Sequence, residues 1–198
     1  MTSPPAHEPQ PRRAAAASTG EERALLERAR RGDAAAFGAL AARHQDRAYA
    51  VALRITRSPA EAAEATQEAL VRAWRALPGF RGEASFGTWL QRVVARRALD
   101  RAEALQSRRR REVAPEAALE EPAAPAAEGD PLAARQVERL LERLTPAQRA
   151  AVTLYYLEEQ PVEAVAAALG LPANTVKTHL HRARAALRQA WAEQGGEP

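Results

Sequence analysis

The chain has 198 residues, no cysteine and a formal net charge of +4, enough for one or two small domains with modest cores. The lack of cysteine excludes a disulfide scaffold and a zinc finger and fits a reducing compartment, so a cytoplasmic location is expected. No apolar run approaches the length of a membrane span, and the opening MTSPPAHEPQPRR lacks the apolar core of a signal peptide, so secretion by that route is not expected.

Alanine, leucine, arginine and glutamate dominate and no strand-like alternation is present, which makes the fold class all-α. Lys177 is the single lysine. The basic residues gather after Arg92 and again after Lys177, with an acidic stretch between them, so charge distribution carries more information than net charge.

Residues 1–18 are rich in Pro, Ala and Ser without periodicity and read as a disordered tail. Thr19 and Glu22 have capping-box spacing and open a short helix through Leu25, Leu26 and Ala29 that stops at Gly32. Asp33 caps a second helix reaching about Thr56, whose apolar face is Phe37, Leu40, Ala41, Ala48, Val51 and Ile55. His44 and Asp46 lack the partners that a zinc or carboxylate metal site needs, so both read as surface residues and neither a metal nor a cofactor is expected.

Ser58, Pro59 and Glu61 open the third helix with a second capping-box pattern. Leu70, Trp74 and Leu77 recur at helical spacing and should face a core, while Glu61, Glu64, Glu68, Arg72 and Arg75 line another face. Pro78 and Gly79 end it. The loop GFRGEASFGTW then brings Phe80, Phe86 and Trp89 together, three of only nine aromatic residues in the chain. Aromatics beside arginine suit stacking on unpaired bases, and they equally suit plugging the joint between two helices; Phe80 reads as the more open.

A fourth helix runs from Phe86 to Ser107 or beyond, burying Phe86, Leu90 and Val93 or Val94 and presenting Arg92, Arg96, Arg97 and Arg101. Residues 87–111 carry eight arginines against Asp100 and Glu103, a net +6. Asp100 is placed to pair with Arg96 or Arg97, and most of the remaining charge has no local partner, which makes phosphate the obvious counterion.

Residues 112–131 hold six acidic residues, four prolines and no base, and read as a flexible linker. A second helical unit starts near Leu132, with Val137, Leu140, Leu141 and Leu144 at helical spacing. Thr145, Pro146 and Gln148 start a further helix carrying Ala150, Ala151, Leu154 and Tyr155 to a break near Gln160 and Pro161. A short helix, PVEAVAAALG, ends at Gly170; after the Leu171–Pro172 turn, the last helix puts Val176, Leu180, Ala183 and Leu187 on its core side. From Ala173 to Ala190 there is no acidic residue. Two short helices joined through a glycine turn, the second basic and polar, make a helix-turn-helix.

ATQEALVRAW followed by FRGEASFGTWLQRVV and RALD resembles region 2 of the extracytoplasmic-function (ECF, group 4) sigma factors of the bacterial sigma-70 family. LTPAQRAAVTLYYLEE with ALGLPANTVKTHLHRARAALR resembles region 4 of the same family. The resemblance implies a non-enzymatic specificity subunit that binds core RNA polymerase, recognises the minus-35 and minus-10 elements of promoter DNA and helps open the latter. It places Glu61, Glu64, Gln67, Glu68 and Arg72 against polymerase. It puts Phe80, Arg81, Ser85, Trp89, Arg92, Arg96 and Arg97 near the minus-10 strand. Asn174, Thr175, Lys177, Thr178, His179, His181 and Arg182 fall at the minus-35 element. Members of the family are often held inactive by an anti-sigma factor, which is therefore an expected partner.

Four positions depart from the family pattern. Arg96 stands where asparagine is common, and a guanidinium only donates where an amide also accepts, so this position alters minus-10 preference or adds phosphate affinity. His179 replaces a frequent arginine. Gln160 stands at a usually apolar site and Pro161 at a usual serine cap, so the short helix should survive at some cost. The expected organisation is two small helical domains joined by a flexible acidic linker: tail 1–18, region 2-like 19–111, linker 112–131, region 4-like helix-turn-helix 132–192 and tail 193–198. The alternative is a free-standing helix-turn-helix regulator, which would leave the acid-faced helix and the aromatic loop without a task.

Overall fold

The computed structural model describes residues 20–111 and 141–193, and all regular structure among them is helical. The expected tails, the Thr19 cap, the linker at residues 112–131 and the start of the second unit up to Leu140 lie outside the described residues.

Helix α1 spans Gly20–Arg30 and leads into α2, Ala34–Thr56. Asp33 caps α2, accepting from the Ala36 amide at 3.0 Å and from Arg28 Nε at 2.9 Å. The Ala36 bond first, and Arg28 second, hold its carboxyl below the usual range. Arg57, in the left-handed region at φ 58°, closes α2.

Helix α3, Pro59–Ala76, starts at Ser58, whose hydroxyl accepts from the Glu61 amide at 3.4 Å. The box is only half formed, because the Glu61 carboxylate is taken by Arg101 at 2.7 Å. The face that packs most deeply is only in part the expected one: of Leu70, Trp74 and Leu77, which all pack on the core, Leu77 alone is fully buried. Ala62, Ala65, Ala69 and Ala73 are fully buried with Leu77, while Leu70 and Trp74 are only partly buried at the margin. Methyl side chains let α3 lie close against α2 and α4, and the larger residues close the seams, Trp74 meeting Phe37 at a ring separation of 5.0 Å.

A 3-10 turn at Leu77–Gly79 ends α3 and the loop leads to α4, Phe86–Arg111. Phe86 is buried among Phe37, His44 and Trp89. His44 is therefore not the surface residue the sequence suggested: its side chain is mostly buried, with Nε2 3.4 Å from Glu22, and its ring lies where a Cβ on Gly87 would meet Nδ1 at 2.8 Å. Asp46 is exposed, as expected.

In the second unit Thr145 and Gln148 form a complete capping box at the head of α5, Pro146–Val152. The chain then widens into a π turn, Thr153–Leu157, and reverses through Glu159 at φ 50°, with the Gln160 amide returning to Leu154 O at 3.0 Å. Helix α6, Val162–Leu169, begins at Pro161 without a side-chain cap, the deficit the sequence implied. Gly170 at φ 63° ends it, and α7, Ala173–Glu193, buries Val176, Leu180 and Ala183.

The two units pack against each other, α5 and α6 lying on α2 and α4. At the centre of the joint is Arg149, buried and donating to Ile55 O at 2.8 Å and Leu144 O at 2.6 Å. Burial, then the nearby Arg57, pushes its guanidinium down to about 10. Around it, Arg47 donates to the buried Glu158 carboxylate at 3.0 Å and Arg57 pairs with Glu142.

Candidate nucleic-acid interface

Three surfaces carry the residues singled out in the sequence. On α3, Glu64, Gln67, Glu68 and Arg72 are exposed along one stripe. Glu61 is less open, and a single Arg101 bridges it to Glu68 at 2.7 and 2.6 Å. Burial works against the Arg101 cation, but Glu61 and then Glu68 outweigh it and raise the guanidinium above its ordinary value. The stripe also contains Val71, half exposed, an apolar centre ringed by polar side chains. The sequence reading passed over Val71, although an apolar residue among Glu68, Arg72 and Arg75 was the available signal.

The second surface is the loop after α3 and the first turns of α4. Phe80 is not open: it is 7% exposed, its ring packed at a tilt against Trp89 with the centroids 5.0 Å apart. Trp89 in turn touches Phe86 at 5.8 Å, so the aromatics chiefly plug the joint. Ser85 caps α4, accepting from the Thr88 amide at 3.1 Å while its hydroxyl meets Thr88 Oγ1 at 2.9 Å. Arg81 is exposed. An open cavity of about 310 Å³ is lined by Gly79, Phe80, Arg81, Glu83, Ala84, Trp89 and Arg92. Its wall thus offers an indole and two guanidinium groups, a chemistry suited to an unstacked base and its phosphate.

The arginines of α4 are less free than their number suggested. Arg97 pairs with Asp100, and Arg96 Nε lies 3.4 Å from the same carboxylate. Arg92 Nε donates to Gln160 Oε1 at 2.8 Å, and burial, against the pull of Glu83, lowers its guanidinium. Arg96 also donates to Leu169 O, its guanidinium lying over Gly170, where a Cβ would come within 3.0 Å of Nη1. The side chain therefore caps the carboxyl end of α6, where a cation is favoured. Arg108 to Arg111 are exposed at the end of α4.

The third surface is α7. Asn174, Lys177, Thr178, His181 and Arg182 are exposed along one side, and Thr175 and His179 are half-buried at its edge. Thr178 returns its hydroxyl proton to Asn174 O at 2.9 Å and keeps only its acceptor capacity for a ligand. Among the described residues no cluster of His, Asp or Glu could hold a metal ion, and no helix is long and apolar enough to cross a membrane.

Comparison with known proteins accounts for both units. Sigma-70 region 2 matches residues 40–111 and sigma-70 region 4 matches residues 134–187. The RNA polymerase sigma-H factor of Pseudomonas aeruginosa is 30% identical over 186 residues, covering 86% of this chain and 93% of its own. The ECF sigma-E factor of Escherichia coli is 32% identical over 177 residues, covering 84% and 92%. Among solved structures, CnrH in complex with the cytosolic domain of CnrY superposes with a TM-score of 0.59 at 24% identity, covering 87% of this chain and 98% of that one. Bartonella quintana RpoE, solved with the anti-sigma factor NepR, gives 0.58 at 22%, covering 77% and 94%. These structures support the fold. The match to region 2 also removes the free-standing regulator, which would use only the helix-turn-helix. The chain belongs to the ECF group of the sigma-70 family and is an RNA polymerase sigma factor, a non-enzymatic subunit that directs promoter recognition.

Proposed function

We propose that the three surfaces divide the work of a sigma factor. The α3 stripe of Glu61, Glu64, Gln67, Glu68 and Arg72, centred on Val71, docks on core polymerase. Arg81, Trp89, Arg92, Arg96 and Arg97 hold the minus-10 strand, with Phe80 lining the cavity beneath it and Ser85 at the cap of α4 beside it. The exposed side of α7 enters the major groove of the minus-35 element, with Asn174 and Thr175 near phosphate at the helix start and Lys177, Thr178, His179, His181 and Arg182 reaching bases or phosphates. The domains behind these roles are residues 19–111 and 132–192, with residues 112–131 as the tether.

The observation that carries this reading is the division of α7. Val176, Leu180 and Ala183 are buried while Lys177, Thr178, His181 and Arg182 are exposed, so the helix turns an acid-free polar face outward. Binding to duplex selected from a randomised pool tests it. Lys177→Ala with Arg182→Ala should weaken binding and reduce the salt slope by about 1 for each phosphate that is no longer neutralised. Equal binding at all salt concentrations removes α7 from the interface.

The solved neighbours CnrH and RpoE are each bound to a protein partner, an anti-sigma factor for RpoE, and this chain is proposed to have an inhibitor of the same kind. Affinity capture from the native host should recover such a partner besides polymerase. Recovery of polymerase alone would count against it.

A further inference from the structure

His44 of α2 meets α4 at its first turn. The imidazole lies 5.4 Å from the ring of Phe86 and against the buried Gly87, where a Cβ would come within 2.8 Å of Nδ1 and 2.9 Å of Cε1. Even a methyl group at position 87 would have to displace the ring or the helix, so glycine is what allows this approach. From its other side the ring is met by Glu22 of α1, with Oε1 3.4 Å from Nε2. The imidazole is therefore held between α1 and α4. Residues two apart on a helix point about 200° apart, so Gly87 and Trp89 occupy opposite sides of the same turn. Trp89, with Glu83 and Ala84 just before the helix, walls the open cavity. The first turn of α4 is thus a partition, with His44 behind it and the cavity in front.

We propose that His44 is a positioning residue for the minus-10 strand: seated on Gly87, it fixes how deeply the first turn of α4 lies against α2, and so where Trp89 stands in the cavity wall. The role rests on the assignment of that cavity to the minus-10 strand. His44 itself touches no DNA, since it lies behind the turn. The aromatic contacts carry its influence forward, Phe86 meeting Trp89 at 5.8 Å and Trp89 meeting Phe80 at 5.0 Å. A radial gap of about 0.5–1 Å forfeits a quarter to a half of a dispersion contact, so a displacement of Trp89 by that much is enough to weaken its stacking on a base.

Gly87→Ala, His44→Ala and the double variant test this in the full-length protein, each titrated with a fluorescent random-sequence DNA single strand and with a random-sequence duplex. Gly87→Ala should weaken single-strand binding about tenfold, by moving Trp89 off a stacked base, and leave duplex binding through α7 unchanged. Adding His44→Ala should bring single-strand affinity back to within about threefold of the unsubstituted protein, because the new methyl group then takes space that the ring has left. Normal single-strand binding by Gly87→Ala overturns the proposal, and so does a double variant as weak as Gly87→Ala alone. A loss that extends equally to the duplex also overturns it, since that marks general damage to the fold. Where Gly87→Ala does not fold, His44→Ala decides: with the seat removed the turn sinks toward α2, and a loss of about threefold or more for the single strand alone is expected, unaltered affinity being the contrary result. Trp89→Ala separates the two claims. If single-strand binding is indifferent to Trp89, the minus-10 reading of the cavity falls and takes the positioning role with it; if it needs Trp89 but ignores Gly87→Ala, only the positioning role falls.

Discussion

Arg149 shows how one side chain can hold two units together. It reaches from α5 to the last turn of α2, satisfying Ile55 O and Leu144 O in a site closed to water. Arginine rather than lysine suits this place, because its planar fork supplies two donors in fixed directions and keeps its charge even when depressed to about 10. Arg149→Leu leaves two buried carbonyls unpaired, and a loss of about 2–4 kcal/mol is expected in urea unfolding. A smaller change than about 1 kcal/mol would mean that the joint does not depend on these bonds. Glu158 acts in the opposite sense. Burial raises its carboxyl above the ordinary 4.5 against the attraction of Arg47. Because the folded value lies above the unfolded one, its contribution to stability is complete below about 4.5 and is lost as pH rises through the raised value. Glu158→Gln should therefore flatten the pH dependence of unfolding over that window, measured as urea midpoints beside the unsubstituted protein; parallel curves would contradict it.

At the scale of the element, helices declared themselves through their ends. Asp33, Ser58 and Thr145 cap where the sequence placed caps, and Gly170 stops α6. Their faces were harder to read. The core side of α3 is a row of alanines, and alanine carries almost no hydrophobic signal, so the eye goes to Leu70 and Trp74, which only close the margins. Ala65→Leu or Ala69→Leu should overpack the contact with α2 and α4 and cost about 1–3 kcal/mol in unfolding, whereas exposed Ala76 should accept leucine with little change. The same helix gives the polymerase assignment its sharpest test. Glu64 is exposed and lies outside the close Arg101 bridge to Glu61 and Glu68, adding only a weaker pull on Arg101, so Glu64→Arg acts mainly on the outer face. Together with Val71→Asp it should weaken core polymerase binding by about tenfold or more in pull-down titrations while leaving helix content unchanged. Unaltered affinity would remove this stripe from the contact.

For the whole molecule, local signals in the chain were enough to reveal an all-helical fold, a helix-turn-helix and a region 2-like unit. What those signals could not convey is the meeting of residues far apart in sequence. Nothing local predicts that Arg92 finds Gln160, that Arg96 ends α6, or that His44 turns inward onto Gly87. Phe80 looked open because a loop aromatic has no periodicity to reveal its partner, Trp89.

Run-off transcription with purified core RNA polymerase, on fragments of the native genome with and without this protein, tests its central role most directly. Discrete new start sites, each preceded by a shared pair of elements and lost with Glu64→Arg and Val71→Asp, are the expected result. A protein that neither binds core nor yields a new start on any fragment would contradict the account.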